Sequence, residues 1–324
     1  MPPSLLTVGY LIQSCFWPKA ARWCCAASFA YNHENGAANQ AKRKIKTLKI
    51  HLDTDFGGDI DDVCALAMLL RWPDEVQLTG VTTVGEVNGR RAGQVKYVLE
   101  LEGRSDVPVA AGADISQGFY PYELGLPPEA RYWTKPIAPL PTASDEAVAL
   151  LKDSVEQDAT VVGIGPLSNL YLLETKYPEI LRNARLFLMG GYIYPPREGY
   201  PQWREEDDFN LQVDTRSALY LIETCNPTFV PISVTVETAL RRKHLEALRN
   251  AGALGQLLAR QAEAFAEDEK IGEKFGKTCH KLANDIINFQ HDPLCCAIAL
   301  GWDDGVEISH FPLKAELRMV CFVG

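Results

Sequence analysis

Residues 48–62 read Leu-Lys-Ile-His-Leu-Asp-Thr-Asp-Phe-Gly-Gly-Asp-Ile-Asp-Asp, and this stretch decides how the chain folds. The apolar run at 48–52 predicts a buried strand, and five aspartates follow it within ten residues. A glycine pair within the acidic segment permits a sharp turn. From Asp61 the apolar residues recur at helical spacing up to Pro73. The stretch therefore predicts a strand that leads through an acidic loop into a helix.

The same alternation of strand and helix continues along the chain. Further strands are predicted at 76–82, 107–111, 160–164, 184–189 and 229–234. Helices are predicted at 62–72, 90–102, 146–155, 167–175, 215–224, 241–275 and 292–300. This order predicts an α/β fold with an open, mostly parallel sheet and helices on both faces, whose ligands bind beyond the carboxyl ends of the strands. Two stretches rich in Pro and Tyr, 112–143 and 190–210, are predicted to be long loops.

The composition is that of an ordinary globular protein. The 324 residues are 47% hydrophobic and 23% charged, with a formal net charge of −10. This charge argues against a nucleic-acid or membrane partner and is compatible with a small-molecule ligand or a metal. No apolar stretch is long enough to cross a membrane. The nine cysteines include no CxxC pair, so we expect free thiols in a reducing compartment and a cytoplasmic protein.

The segment at 1–46 differs in composition from the rest of the chain. It is rich in Ala, Cys and Trp and then becomes polar. We expect a disordered or weakly packed extension, followed by a single domain at 47–324. Residues 1–32 carry Lys19 and Arg22 and no acid, which leaves organelle targeting as an alternative.

The five aspartates of the opening stretch predict a metal site. Acids near the start of a helix interact favourably with its dipole, so a solvated turn would explain Asp59 or Asp61 alone. Five crowded carboxylates repel one another unless a cation joins them. Ligands that are all oxygen atoms favour Ca²⁺ or Mg²⁺ over zinc.

Another class of metal enzyme also begins with Asp-x-Asp after a strand. In haloacid-dehalogenase-like, Mg-dependent phosphatases the first of these aspartates is the nucleophile. Here Asp55-Phe56-Gly57-Gly58 departs from the pattern of that family, and a candidate for its late acidic pair, Asp303-Asp304, lies very close to the C-terminus. The phosphatase is therefore kept as an alternative.

Later segments place polar residues at predicted strand ends or helix starts. They are Val81-Thr82-Thr83-Val84-Gly85, Gly165-Pro166-Leu167-Ser168-Asn169-Leu170, Met189-Gly190-Gly191, Asp208-Phe209-Asn210 and His291-Asp292-Pro293. Each alone could be a turn or a cap. Together with the opening acids, and in this order, they resemble the inosine–uridine-preferring nucleoside hydrolase family over residues 47–300. The resemblance implies a nucleoside hydrolase-like, Rossmann-like fold and hydrolysis of ribonucleosides to free base and ribose, as in purine or pyrimidine salvage.

The resemblance also implies roles for individual residues. It implies Ca²⁺ as the cofactor, with the ligands Asp55, Asp62, the carbonyl of Ile164 and Asp292, and with Asp53 supporting them. It implies a ribose site formed by Asp61, Met189, Asp208 and Asn210. Asp55 is the implied base for the attacking water, and His291 is the candidate on the side of the leaving base. A homo-oligomer, either a dimer or a tetramer, is implied as well.

The chain departs from the family pattern at several points. Five residues instead of three separate Asp55 from the acidic pair, and Asp59 is extra. Glu86-Val87-Asn88 replaces the family's Gly-Gly-Asn, so Asn88, or else Glu86, is expected to bind the sugar. Residues 112–143 lack a loop of some members, which leaves the preferred base open. The chain also ends soon after 316–320, where members continue, so a non-catalytic calcium- or ribose-binding homologue is a second alternative.

Overall fold

Strands and helices alternate through most of the chain. The computed structural model describes residues 8–14, 47–72, 76–118, 124–313 and 315. Its strands are β1 (Val8–Ser14), β2 (Leu48–Thr54), β3 (Val76–Thr83), β4 (Val109–Ala111), β5 (Thr160–Gly163), β6 (Leu186–Met189), β7 (Thr228–Val230), β8 (Ala239–Arg241), β9 (Ile286–Phe289) and β10 (Val306–Pro312). Its helices are α1 (Asp61–Arg71), α2 (Arg90–Leu101), α3 (Glu129–Tyr132), α4 (Ser144–Glu156), α5 (Ser168–Lys176), α6 (Phe209–Val213), α7 (Thr215–Thr224), α8 (Ile232–Thr235), α9 (Leu245–Arg249), α10 (Gly252–Glu269), α11 (Ile271–Phe275) and α12 (His291–Ala299). Within these ranges, no helix combines the length and the apolar character that crossing a membrane requires.

The strands β2 to β7 form a parallel sheet whose chain order reverses at its centre. The order across the sheet is β7-β6-β5-β2-β3-β4, and every neighbouring pair runs parallel. The chain moves outward from β2 to β4 on one side and from β5 to β7 on the other. Beyond the carboxyl ends of β2 and β5, where Asp53 pairs with Gly163, the two loops diverge and leave a crevice. This arrangement confirms the predicted α/β fold.

Helices cover both faces of this sheet. In β5 the neighbouring residues Val161 and Val162 point to opposite faces, as successive residues of a strand do. Val162 belongs to a hydrophobic cluster that includes residues of α1, α2, α10 and α12. Val161 belongs to a second cluster with residues of α4, α5 and α7. Both valines are fully buried, so β5 lies at the centre of the core.

The edge of the sheet beyond β7 differs from the prediction. β1 pairs parallel to β7, and β10 pairs antiparallel to β1. Residues 8–14 of the predicted extension therefore form a strand of the sheet. The other residues of 1–46 lie outside the described part of the chain, so the domain boundary at 47–324 and targeting by residues 1–32 remain predictions.

The region after β7 also departs from the predicted elements. The pattern predicts a strand at 229–234, but β7 ends at Val230 and α8 begins at Ile232. Pro231 lies between them and has no N–H to donate to a strand ladder. The unpredicted strands β8 and β9 form a separate antiparallel pair. This small sheet positions the chain directly ahead of α12.

Candidate active site

The predicted site residues converge on one cavity at the carboxyl ends of the parallel strands. Its volume is ≈ 570 Å³, within the ~300–1,000 Å³ usual for small-molecule sites. Nine of the eleven predicted residues line it, namely Asp55, Asp61, Asp62, Ile164, Met189, Asp208, Asn210, His291 and Asp292. They come from the ends of β2, β5 and β6 and from the starts of α1, α6 and α12.

Three carboxylates in this cavity lie close enough to share one metal ion. Asp61, Asp62 and Asp292 each offer an oxygen atom, and the three atoms lie within 4.8 Å of one another. All three side chains are buried. Asp61 and Asp62 begin α1, and Asp292 lies in the first turn of α12. Two helix N-termini therefore meet at the cluster, and their dipoles favour negative charge there.

Without a bound cation, the negative charges of these three carboxylates are poorly compensated. Burial first, and neighbouring carboxylates second, raise the pKa values of Asp61, Asp62 and Asp292 well above the usual range. The charge of Asp55 contributes to the rise in all three pKa values. Because these groups are oxygen donors that repel one another, they fit a hard divalent cation.

Asp55 and Asp53 lie differently with respect to this cluster. Asp55 is half-buried and lines the cavity without belonging to the closest group of three carboxylates. Asp53 is fully buried in β2, where its Oδ1 accepts hydrogen bonds from Thr82 Oγ1 at 2.5 Å and Asn169 Nδ2 at 2.8 Å. Its Oδ2 has no hydrogen-bond partner among the described residues, and burial raises the pKa of Asp53 to about 7. Asp53 is thus held by the sheet outside the cavity lining, and its supporting role remains a prediction.

The predicted sugar ligands are tied to the same strand ends. Asn210 donates through Nδ2 to the carbonyl oxygens of Ile164 at 3.3 Å and Met189 at 3.1 Å. Asp208 caps α6, and its carboxylate accepts a hydrogen bond from the backbone N–H of Gly191. Burial raises the pKa of Asp208 to about 6. Both side chains are therefore immobilised where they line the cavity.

The turn after β6 requires its two glycines. Gly190 and Gly191 have φ values of 137° and 95°, which residues with a side chain rarely adopt. A Cβ at Gly190 would also lie 2.5 Å from the Leu211 side chain. The glycine pair thus allows Met189 and Asp208 to approach the cavity together.

His291 lies on an aromatic side of the cavity. Its ring centroid is 5.6 Å from those of Trp203 and Phe289. Its Nδ1 is 2.7 Å from the Thr235 hydroxyl oxygen. Burial lowers the pKa of His291 to about 4, so the imidazole is neutral at pH 7. A neutral ring donates a hydrogen bond through one nitrogen and does not act as an imidazolium.

Asn88 does not lie on this cavity, contrary to the sequence prediction. It is exposed and has a φ of 54° in the turn between β3 and α2. Glu86, its competitor for the same role, accepts hydrogen bonds from the Thr83 hydroxyl at 2.5 Å and the Ala92 amide at 2.8 Å. The Glu86 carboxylate therefore holds the start of α2. The structure therefore does not support the predicted sugar contact of Asn88.

The cavity wall also contains residues to which the sequence analysis assigned no role of their own. Asp59 accepts a hydrogen bond from Asn288 Nδ2 at 2.8 Å and lines the cavity. Trp203 and Phe209 add aromatic surface, and Phe209 is 53% exposed. Arg91 adds a buried cation. The acidic stretch at 53–62 offered a signal for Asp59, and the aromatic content of 190–210 offered one for Trp203 and Phe209. Arg91 had none, because its partners are distant in the chain.

An acid-lined crevice at the point where the strand order reverses defines the class of protein, an α/β protein that binds a small molecule at this edge of its sheet. A profile of the family described as inosine-uridine preferring nucleoside hydrolase matches residues 50–320. The chain is also 27% identical over 267 residues to the pyrimidine-specific ribonucleoside hydrolase RihA of Citrobacter koseri, with 78% of each protein covered. The chain therefore belongs to the inosine–uridine-preferring nucleoside hydrolase family.

Solved structures share this fold. The purine-preferring ribonucleoside hydrolase from Gardnerella vaginalis has a TM-score of 0.61 and 22% identity, over 78% of this chain and 80% of that one. A plant nucleoside hydrolase, PpNRh1, has a TM-score of 0.58 and 22% identity, over 78% and 79%.

Membership confirms the predicted activity class. The protein is a hydrolase of N-glycosyl bonds in ribonucleosides, and these comparisons do not favour the phosphatase alternative. The family is metal-dependent, and Asp61, Asp62 and Asp292 offer this chain a place to bind a metal.

Proposed function

We propose that the protein hydrolyses ribonucleosides to base and ribose with a calcium ion bound in the described cavity. The observation that carries this proposal is the group of buried Asp61, Asp62 and Asp292 oxygens within 4.8 Å of one another. Cys295 and Cys296 follow Asp292 in α12, but burial raises the pKa values of both thiols well above their usual range. Thiolate ligation of a softer metal is therefore unfavourable, and the oxygen donors support Ca²⁺.

The proposed metal ligands are the carboxylates of Asp55, Asp62 and Asp292 and the carbonyl oxygen of Ile164. Asp61 lies in the cluster with Asp62 and Asp292, but the family motif assigns it to a ribose hydroxyl and assigns Asp55, which lines the same cavity, to the metal. Asp53 supports the loop that carries Asp55 from its place in β2. The assignments of the residues that line the cavity rest on the family motif and on the shared cavity, and that of Asp53 rests on the family motif and on its burial in β2.

The chain's own residues supply proton transfer and orientation. The chemistry that a bound divalent cation supplies is Lewis-acid activation of water and alignment of the sugar diol. Asp55 accepts the proton of the attacking water, because it lines the cavity and because burial raises its pKa above that of a solvated carboxylate. Asp208 and Asn210 bind sugar hydroxyls, and Met189 contacts the sugar ring.

The leaving base is proposed to lie on the aromatic side of the cavity. Trp203 and Phe209 offer ring surface to a planar heterocycle. His291 is neutral and donates a hydrogen bond to the base as negative charge develops on it. This role differs from protonation by an imidazolium, which an unperturbed histidine would suggest.

Replacing His291 by alanine is expected to lower kcat about 100-fold, because one preorganised donor to the developing charge is lost. The calcium affinity is expected to remain within about threefold of wild type, since the Asp292 carboxylate and the start of α12 are retained. Steady-state kinetics and calorimetric calcium titration measure the two effects. A variant that loses calcium in parallel with activity would make His291 a structural residue.

The proposal is tested by measuring release of free base from inosine, uridine and nicotinamide riboside, with and without EDTA. We expect release from at least one nucleoside, its loss with EDTA and its recovery with excess Ca²⁺. A phosphomonoester serves as the control substrate. Phosphate release without base release would contradict the proposal, and calcium binding without any turnover would favour a non-catalytic homologue.

The same proposal includes a cytoplasmic homo-oligomer, either a dimer or a tetramer. The support is the family resemblance for assembly and the free thiols Cys225, Cys279, Cys295 and Cys296 for a reducing compartment. Light scattering on the purified protein measures the assembly.

A further inference from the structure

Arg91 is a buried cation whose described hydrogen bonds all go to the backbone. Its side chain is among the largest that are fully buried, and the residue is 1% exposed. The acceptors are the carbonyl oxygens of Asp55 and Phe56 after β2, Gly85 after β3, and Leu124 and Gly125 in the loop ahead of α3. Three separate segments therefore meet at one guanidinium group.

All three nitrogen atoms of the Arg91 guanidinium group donate hydrogen bonds. Nε donates to Gly85 at 2.7 Å, Nη1 donates to Asp55 and to Phe56, the latter at 2.9 Å, and Nη2 donates to the loop at 3.3 and 3.2 Å. A guanidinium group has five N–H donors in one plane. Among the described residues no carboxylate accepts a hydrogen bond from Arg91 or forms an ion pair with it, so its bonds connect loops.

The glycine after β3 makes this convergence possible. Gly85 has a φ of 59°, and a Cβ on it would lie 2.5 Å from the Leu124 side chain. A residue with a side chain at position 85 would be strained at this φ and would displace the Leu124 side chain, so glycine favours the close approach of the loop at 124–125 to the turn after β3. Arg91, Leu124 and Gly125 all line the cavity beside Asp55.

We propose that Arg91 is a positioning residue, which holds the peptide groups of Asp55 and Phe56 and the wall at 124–125 in one arrangement around the metal site. The proposal rests on the proposed function in taking the Asp55 loop as a calcium-binding loop. Holding the Asp55 backbone sets the direction in which its carboxylate enters the cavity. Groups that orient metal ligands in this way contribute to affinity without touching the metal.

Arg91 has a second possible role, charge compensation, which the test must distinguish from positioning. Its positive charge lowers the pKa values of Asp55 and Asp62, so it also compensates the acidic cluster. If charge were its whole contribution, a lysine would replace it fully, and removal of the charge would strengthen calcium binding. If the planar guanidinium geometry is required, lysine does not restore calcium binding, because an ammonium group cannot bind three segments at once.

The experiment compares wild type, Arg91→Lys and Arg91→Met by calorimetric calcium titration. We expect Arg91→Lys to bind calcium about 10–100-fold more weakly than wild type, the range found when groups behind metal ligands are removed. Arg91→Met is expected to bind no more tightly than wild type. The matched control is Arg241→Lys, since Arg241 bonds Asp285 at 2.6 Å and is not part of the cavity lining. Wild-type affinity in Arg91→Lys, or tighter binding by Arg91→Met, would overturn the proposal.

Hydrogen exchange separates this proposal from the proposed function, because it requires no substrate. In metal-free Arg91→Lys we expect faster amide exchange than in wild type at 55–60 and 124–126 together, with other core amides unchanged. If the variant does not fold, the wild-type protein still provides a test. Calcium is then expected to protect both segments, and protection of 55–60 without 124–126 would refute the link. Failure of nucleoside hydrolysis alone leaves these outcomes unaffected.

Discussion

Replacing Asp62 by asparagine is expected to abolish calcium binding and nucleoside hydrolysis together. Asp62 lies in the cluster with Asp61 and Asp292 and accepts a hydrogen bond from the Thr54 hydroxyl, which asparagine can still accept. The substitution therefore removes charge with little change in shape. We expect more than about 100-fold weaker calcium binding, because the loss of groups behind the ligands alone costs about 10–100-fold. Calorimetry and base release at fixed calcium measure the two losses.

The stability of the metal-free variant separates this explanation from misfolding. Burial and the repulsion from Asp55 and Asp61 disfavour the ionised form of Asp62. Metal-free Asp62→Asn is therefore expected to melt no lower than metal-free wild type. Asp145→Asn is the control, since Asp145 is exposed and pairs with Lys176 at the surface. Retained calcium binding in Asp62→Asn would contradict the assigned site.

Removing calcium is expected to destabilise the protein more strongly as the pH rises. The pKa values of Asp61, Asp62 and Asp292 are raised by burial and by neighbouring carboxylates, and those of Asp53 and Asp59 are raised to about 7. A raised folded-state pKa means that the folded protein binds more protons than the unfolded chain. The stabilising contribution is complete below the usual pKa of 3.8 and is lost as the pH rises through the raised values. In the proposed site, bound calcium would compensate these charges at neutral pH.

The measurement is the difference in Tm between calcium-loaded and EDTA-treated protein at pH 5, 6, 7 and 8. The difference in Tm is used, and not the Tm of the metal-free protein alone, because buried histidines increase the stability of the folded state as the pH rises. Burial lowers the pKa values of His51 and His244 to about 3 and 4, so their neutral forms favour folding more as the pH rises to the usual 6.5. Neither of these two histidines lines the cavity, so their effect cancels in the difference. His291 does line it, but its contribution is complete above the usual pKa of 6.5, so the comparison of pH 7 with pH 8 isolates the carboxylates. We expect the difference to widen with pH, and a constant or narrowing difference would contradict the assignment.

Helices and strands were predicted correctly where contacts within one segment determine them, and were missed where they depend on a partner that is distant in the chain. The helix at 215–224 and the start of α2 at Arg90 were predicted correctly, because apolar spacing within each segment specifies which face is buried. The short strands β8 and β9 were missed, because two segments of three and four residues show no period and depend on each other. The strand predicted at 229–234 failed at Pro231, where an apolar run cannot continue as a ladder.

The residues of the site were also predicted only in part. Its motifs lie at the ends of parallel strands, and these ends meet at one edge of a sheet, so nine residues could be assigned to one cavity. Asn88 was misplaced, because the left-handed turn before α2 leaves its side chain exposed. Arg91 was overlooked, because its acceptors are carbonyl groups, which every residue possesses and which no pattern of side chains identifies.

The sequence by itself determined the strand, acidic loop and helix at 48–71, the parallel α/β fold and the family, since all of these follow from residues close together or in fixed order along the chain. Only the tertiary structure decided which acids act together. Asp292 donates its amide hydrogen to Asp61 across 231 residues of sequence, and its carboxylate completes the cluster with Asp61 and Asp62. The reason is that a carboxylate's charge and proton affinity depend on burial and on neighbours in space, which the packing of α1 against α12 brings about.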